Sequence, residues 1–146
     1  MFEERMVLYI SPFYFKNGNT SKNKFFIILK SVEDKLIIGS LPTSKNKVPS
    51  LITKKHGCNN DNERMFNCYS FSPDKTITDN GFCFPKPTFI YGNDVEDYAS
   101  EIIQEIYKVE GIDYEIKGRL TDDEYDAIIK CIKLSSAVRR GIKRLL

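Results

Sequence analysis

The sequence predicts an α+β domain in which a small antiparallel β-sheet is followed by a helical C-terminal third. Apolar runs of strand length, such as Phe25–Leu29, are separated by turn-forming residues in the first part of the chain. From Val95 onward, apolar residues recur at three and four positions, which is the period of an amphipathic helix. A chain of 146 residues, 41% of them hydrophobic, is long enough for a single domain over residues 1–146, and no linker or repeat divides it.

The first three predicted strands are joined by short turns. Met6–Phe15 is rich in β-forming residues, and the polar loop after it carries the turn signal Asn17-Gly18. Phe25–Leu29 and Lys35–Leu41 flank a Val-Glu-Asp turn, so we expect them to pair as a hairpin. Pro42 cannot donate to a sheet ladder and marks the end of the third strand.

The middle of the chain is predicted to be less regular. His56–Arg64 is polar and is expected to form a surface loop, and Met65–Phe71 is expected to form the next strand. Two prolines make Phe82–Tyr91 an edge strand or a bend. Tyr114–Lys117 is expected to be one more short strand between helices.

Three helices are predicted, over about 94–109, 121–134 and 136–145. The first has an apolar stripe that includes Ile102, Ile103 and Ile106. The second begins with a capping box, in which Thr121 is followed three residues later by Glu124. The third is expected to be capped by one of the serines at 135 and 136 and to turn its basic residues outward.

Charge is segregated along the chain although the net charge is only +2. Residues 1–92 carry 13 basic and 8 acidic residues, residues 93–126 carry 3 and 12, and residues 127–146 carry 6 and none. Such blocks create local potentials of either sign. We interpret the acidic block as a solvated helix face. The basic C-terminal segment is either a solvated face or a surface for nucleic acid or an acidic partner.

The cysteine pattern, the short apolar runs and the N-terminal sequence predict a cytoplasmic protein. No run is long enough to cross a bilayer, and the N-terminus lacks a signal-peptide pattern, so no membrane partner is expected. Without a C-x-x-C pair, the cysteines are expected to be free thiols in core or strand positions, and these are Cys58, Cys68, Cys83 and Cys131. His56-Gly57-Cys58 has no second ligand pair nearby, so no metal site is predicted.

Polar residues flank the predicted hairpin at one end, because antiparallel strands reverse direction. Hydroxyl and ammonium groups gathered there would suit a phosphodiester, whose charge they could stabilise. The alternative is an ordinary polar loop, since such residues are common at strand ends. The residues concerned are Lys22, Lys24, Thr43, Ser44, Lys45 and Lys47.

Common enzyme signatures are missing from the sequence. It contains no dinucleotide-binding glycine motif, no phosphate-binding P-loop, no nucleophile elbow and no zinc-protease motif. His56 is the single histidine, so a histidine-based acid–base mechanism would depend on it. The alternative is that His56 is a solvated loop residue.

The hairpin, the turn after it and one later segment resemble the MazF/PemK family, the toxins of bacterial type II toxin–antitoxin systems. The matching residues are Phe25–Leu29, Leu36–Leu41, Thr43-Ser44 and Lys117-Gly118-Arg119-Leu120-Thr121-x-x-Glu124. Asn23-Lys24 stands where the family has Arg-Pro, and Asn93-Asp94 is a loose counterpart of its Asp-Gln pair. A helix is inserted before the last strand.

The resemblance implies a small antiparallel SH3-like β-barrel, as in the MazF, PemK and CcdB toxins, with an inserted helix and C-terminal helices. It implies a cytoplasmic homodimer that is a hydrolase and cleaves single-stranded RNA without a metal ion or other cofactor. It also implies a cognate antitoxin as a protein partner. On this interpretation Lys24, Thr43 and Ser44 stabilise the phosphate. The acid–base candidates are His56, Asp94 and Glu115, the RNA-steering residues are Lys22, Lys45 and Lys47, and the base-stacking residues are Tyr69 and Phe89.

A second interpretation keeps the scaffold and removes the chemistry, because a fold does not determine a function. The missing Arg-Pro and the segregated charge favour a non-catalytic module that binds nucleic acid or protein on an SH3-like barrel. Alanine at Thr43 and Lys24 would separate the two, since only the nuclease depends on these side chains for its effect.

Overall fold

In the part of the chain that the structure describes, the fold consists of two antiparallel sheets and three α-helices. The computed structural model describes residues 2–13, 22–41, 56–61, 63 and 66–146. The larger sheet has the strand order β7-β3-β2-β1-β8, and the smaller has the order β4-β5-β6. The strands are β1 (Met6–Phe13), β2 (Lys22–Val32), β3 (Lys35–Leu41), β4 (Gly57–Asp61), β5 (Phe66–Phe71), β6 (Thr88–Tyr91), β7 (Val95–Ala99) and β8 (Tyr114–Arg119). The helices are α1 (Ser100–Ile106), α2 (Asp122–Leu134) and α3 (Arg140–Lys143).

The predicted β2–β3 hairpin is confirmed. Its register pairs Val32 with Lys35 at the turn and Phe25 with Leu41 at the open end. Glu33 adopts a φ of 53° in the two-residue turn, as the tight turns that match strand twist require. The register places the start of β2 beside the end of β3.

A bulge in β2 ties the sheet to α2. The register with β3 shifts between Ile28 and Lys30, so Leu29 is the extra residue. The hydroxyl of Tyr125, in the first turn of α2, donates to the Leu29 carbonyl oxygen over 2.7 Å. Arg5 lies 4.6 Å from the centre of the Tyr125 ring, which is cation–π distance. The irregularity in β2 thus supplies an acceptor for a buried hydroxyl.

The five-stranded sheet is buried on both faces, because its strands carry apolar residues at consecutive positions. One face, here the α2 face, packs against the smaller sheet, α2 and α3; its members include Val7, Ile27, Leu29, Ile37, Tyr69, Phe71, Ile128 and Ile142. The opposite face, here the α1 face, packs against α1 and the segments beside it; its members include Leu8, Phe26, Ile28, Ile38, Ile103 and Tyr107. Alternation along each strand decides which face a side chain joins.

Three secondary-structure predictions are wrong. The helix expected from about 94 begins only at Ser100, because Val95–Ala99 pairs with β3 as strand β7. The loop expected at 56–64 contains strand β4, which pairs with β5. The last helix is the short α3, and its N-cap is Arg139 instead of a serine, since Ser135 ends α2.

Other expectations agree with the structure or go beyond what it describes. The observed α2 begins one residue after the predicted start and ends at the predicted residue. Between the described strands no ladder joins the two sheets into a closed barrel, so the structure supports a mixed α+β fold with antiparallel sheets. None of the described helices is long and apolar enough to span a membrane.

The prediction of four free thiols is also wrong. Cys58 in β4 and Cys131 in α2 form a disulfide, because α2 packs against β4 and brings their Cα atoms to 5.5 Å. Cys68 is a buried free thiol and Cys83 a half-buried one. The bridge joins residues 73 positions apart, so it closes a long loop of the unfolded chain.

Reduction of the disulfide is expected to lower the free energy of unfolding by about 4 kcal/mol, the chain-entropy value for a loop of this length. Urea unfolding with and without a thiol reductant measures the change. A Cys68→Ser/Cys83→Ser variant is the matched control, since it keeps the bridge and should respond like the parent chain. Equal urea midpoints in oxidised and reduced protein would contradict the pairing.

Candidate functional site

The structure distributes the predicted site residues over separate places. Thr43, Ser44, Lys45 and Lys47 lie outside the described residues. Lys22 begins β2, where its backbone pairs with Phe13. Lys24 follows on the same strand, and its backbone pairs with Ile10 of β1.

His56 and Tyr69 meet on one carboxylate, that of Glu124. The Tyr69 hydroxyl donates to Glu124 Oε2 over 2.5 Å, and His56 Nε2 lies 2.8 Å from the same oxygen. The side chains are 13% exposed for His56 and 6% for Glu124, and Tyr69 is 3% exposed. The His56 ring also packs edge-on against Phe71. The group, here the Glu124 network, lies between the smaller sheet and α2.

The start of α2 aims Glu124 at this network. Thr121 caps the helix by accepting a hydrogen bond from the Glu124 amide over 3.3 Å, which is one half of the predicted capping box. The other half would return the Glu124 side chain to the helix start. The carboxylate turns instead to His56 and Tyr69, which are 68 and 55 positions away in sequence. A local motif therefore positions a long-range contact.

Hydrogen bonding occupies both nitrogens of the His56 ring. The Ser72 amide donates to Nδ1 over 3.0 Å, so Nδ1 must carry a lone pair. Nε2 then carries the proton and donates a hydrogen bond to the Glu124 carboxylate. A general acid or base needs a nitrogen within reach of the substrate. In this arrangement neither nitrogen is available, and His56 is part of the interior instead of a solvated loop residue.

Tyr69 and Phe89 are buried, so neither offers a ring face on which a base could stack. Burial, followed by the hydrogen bond to Glu124, raises the pKa of Tyr69 well above its usual value. The phenol is therefore neutral and acts as a donor. Phe89 packs in a small cluster with Cys68. The structure places both predicted stacking residues in the core.

The second candidate site consists of Asp94 and of Lys24, whose charge influences the Asp94 carboxyl. Asp94 ends a 3-10 turn, Gly92–Asp94, that leads directly into β7. Burial is the largest influence on its carboxyl and raises its pKa, while the charge of Lys24 acts in the opposite direction. A carboxyl whose pKa moves toward neutrality beside an ammonium group is suited to proton transfer near a phosphate.

Lys24 and the Glu124 network lie on opposite faces of the larger sheet. Phe25 packs on the α2 face, where its ring centre is 5.1 Å from that of Phe84. Its neighbours in β2, Lys24 and Phe26, alternate to the α1 face. His56 contacts rings of the α2 face. The structure therefore does not bring Lys24 and His56 together.

A group of half-buried aromatic rings lies on the α2 face of the larger sheet. Tyr9 and Phe25 have ring centres 4.9 Å apart, and Phe82 lies 6.0 Å from Phe25. Lys117 Nζ is 6.0 Å from the Tyr9 ring and pairs with Glu115 over 2.7 Å. Glu115, an acid–base candidate, is thus an exposed partner of a lysine. In the described part of the chain, no three His, Cys, Asp or Glu side chains lie where they could hold one metal ion.

Removal of the Glu124 carboxylate is expected to destabilise the protein. Glu124→Ala should lower the free energy of unfolding by about 2 kcal/mol or more, because two largely buried donors lose their acceptor. Urea unfolding measures the loss. Asp123→Ala is the matched control, since Asp123 is an exposed acid in the same helical turn. Equal losses in the two variants would contradict a special role for Glu124.

The pKa of Asp94 is expected to respond to both neighbouring charges. Lys24→Gln should raise it further and Glu96→Gln should lower it, because these charges act on it in opposite directions. Carboxyl titration by NMR follows both changes. An unchanged Asp94 pKa in both variants would contradict the assignment.

Folding raises the pKa of Asp94, so the stability that this carboxyl contributes is present at low pH and is lost as pH rises through the folded pKa. Asp94→Asn should therefore stabilise the fold at neutral pH.

Comparison with known proteins places no further constraint on these two sites. The chain matches no protein-family model, no curated protein and no solved structure. The assignment of a function therefore rests on the sequence motifs and on the contacts described above.

Proposed function

We propose that the chain is a growth-inhibiting toxin of the MazF/PemK type that cleaves single-stranded RNA without a metal ion. The observation that carries the proposal is the raised pKa of Asp94 together with the influence of the Lys24 charge on it. Lys24 directly precedes Phe25, which pairs with Leu41 at the open end of the hairpin. The hydroxyl-bearing residues Thr43 and Ser44 follow Leu41 directly in sequence. We propose an SH3-like barrel, with α1 as its inserted helix, as the scaffold.

In the proposed reaction, the RNA supplies its own nucleophile. The Asp94 carboxylate takes the proton of the 2′-hydroxyl as the 2′-oxygen bonds to the adjacent phosphorus. The bond from phosphorus to the 5′-oxygen breaks, and that oxygen takes a proton from solvent. The Lys24 ammonium offsets the charge that develops on the phosphoryl oxygens. The products are a 2′,3′-cyclic phosphate and a 5′-hydroxyl.

The remaining predicted residues keep subsidiary roles in the proposal. Thr43 and Ser44 contribute hydroxyl donors to the phosphate, and Lys22, Lys45 and Lys47 attract the RNA backbone. His56 is removed from the proposed chemistry, because Ser72 and Glu124 already hold its two nitrogens. It becomes part of the framework that supports the smaller sheet.

The proposal includes a homodimer, a cognate antitoxin and a cytoplasmic location. In the cytoplasm, glutathione and thioredoxin keep most thiols reduced. A fraction of the protein would then have the Cys58–Cys131 disulfide reduced to two thiols. RNA cleavage should therefore be measured on both the oxidised and the reduced chain.

Purified protein is expected to cut single-stranded RNA in EDTA and to leave cyclic phosphate ends. Lys24→Ala and Asp94→Asn should each slow cleavage by about 100-fold or more, the usual contribution of an electrostatic stabiliser and of a general base respectively. In the wild type, the rate should fall as pH drops through the raised pKa of Asp94, because the base must be ionised. Gel analysis of end-labelled RNA with end-group identification provides the measurement.

Two exposed residues provide matched controls for these variants. Lys75→Ala removes a lysine and Asp79→Asn neutralises an aspartate, and neither belongs to the proposed site. Both should cleave RNA at the parent rate. Intact RNA in both EDTA and Mg²⁺, or equal rates in all four variants, would contradict the proposal.

The second candidate function is a non-catalytic module on the same scaffold that binds nucleic acid. The half-buried rings of Tyr9, Phe25 and Phe82, with Lys117 beside Tyr9, favour it. Aromatic faces next to a cation are a usual surface for unpaired bases. The same assay separates the two candidates, because a binding module retains RNA in fluorescence anisotropy and leaves it uncut.

A further inference from the structure

Four large apolar side chains are exposed on α1 and on the segment that follows it. Ile102 is 58% exposed, Ile106 48%, Val109 47% and Ile112 76%. The helical spacing of the sequence predicts Ile102 and Ile106 on the buried stripe of a longer helix. In the structure Ile103 and Tyr107 form the buried side instead. We call the four exposed residues the α1 patch. A helix face that is exposed to water normally carries polar residues, so two exposed isoleucines one turn apart indicate an interaction surface.

The α1 patch has an acidic border. The carboxylates of Glu101, Glu105 and Glu110 are exposed on the same helix and the same following segment. Lys108 is the one basic residue between positions 100 and 116. An anionic surface repels the phosphates of nucleic acid and of anionic lipids. The border therefore excludes RNA and an anionic membrane as occupants of the patch.

A second copy of the chain also fits the α1 patch poorly. Two patches face to face would bring like carboxylates together, which costs binding free energy. The basic C-terminal segment has the complementary charge, but α3 packs on the α2 face through Ile142, whereas α1 packs on the opposite face through Ile103. Contact between α1 and the α3 of another copy would join opposite sides of the molecule. Such contacts give open chains instead of a closed dimer.

We propose that the α1 patch docks a basic amphipathic segment of a different polypeptide. Apolar side chains of that segment would cover Ile102 and Ile106, and its lysines or arginines would pair with Glu101 and Glu105. This is the helix-in-groove type of recognition, with anchors spaced by one helical turn. The proposal is independent of RNA cleavage, because the patch contains none of the residues assigned to that reaction.

The test uses a synthetic 18-residue helical peptide with leucines at one-turn spacing and flanking lysines, and a second peptide with glutamates in place of the lysines. The lysine peptide is expected to shift the NMR amide signals of α1 and to bind more tightly than the glutamate peptide by at least about tenfold. Ile102→Ser/Ile106→Ser should abolish these shifts. Both positions are exposed, so the variant should fold, and its RNA-cleaving or RNA-binding activity should match the parent.

Charge reversal sharpens the test. Glu101→Lys/Glu105→Lys should invert the preference, so that the variant binds the glutamate peptide more tightly. Shifts away from α1, or equal affinity for the two peptides, would overturn the proposal. A sedimentation experiment on the chain alone gives the other decisive outcome. A dimer that Ile102→Ser/Ile106→Ser dissociates would show that a second copy is the occupant, and would also overturn it.

Discussion

The need to cover both faces of the five-stranded sheet is the constraint on which the rest of the structure depends. β1, β2 and β3 place apolar residues at successive positions, so neither face can be left to water. α2 and the smaller sheet cover one face, and α1 with its neighbouring segments covers the other. The same alternation sends Phe25 to one side and Lys24 to the other. It therefore determines which polar groups share a surface and separates Lys24 from the Glu124 network.

On the α2 face, covering the sheet requires burial of a carboxylate. An unpaired buried charge is strongly unfavourable, and Glu124 is tolerated because Tyr69 and His56 both donate to it. Such a network fixes one arrangement of α2 on the smaller sheet, since a sliding helix would leave three polar groups unpaired. The disulfide between β4 and α2 restrains the same pair of elements. The disulfide and the Glu124 network therefore both hold α2 against the smaller sheet.

Short sequence patterns were sufficient to predict many of the strands and helices, but they were insufficient to predict the contacts between segments that are distant in sequence. The β2–β3 hairpin and the start of α2 follow from short runs of residues, and the structure has both. Val95–Ala99 was predicted as helix because Val95, Tyr98 and Ala99 have helical spacing. Pairing with β3 overrides that pattern, and Val95 and Tyr98 pack on opposite faces of the sheet. Glu124 looked like half of a capping box. No local signal connects it to His56, which is 68 residues away.

The two candidate sites also differ in how their polar groups are satisfied, and this difference bears on chemistry. His56 has a donor on one nitrogen and an acceptor on the other, so its proton is fixed in place. The pKa of Asp94 is shifted chiefly by burial, and nearby charges of both signs act on it. A group of this second kind changes protonation when a charged ligand arrives, because the ligand alters the balance among the charges. Phosphate beside Lys24 would offset the charge of that lysine and raise the pKa of Asp94 further, toward the range in which a carboxyl accepts a proton from a hydroxyl and returns it.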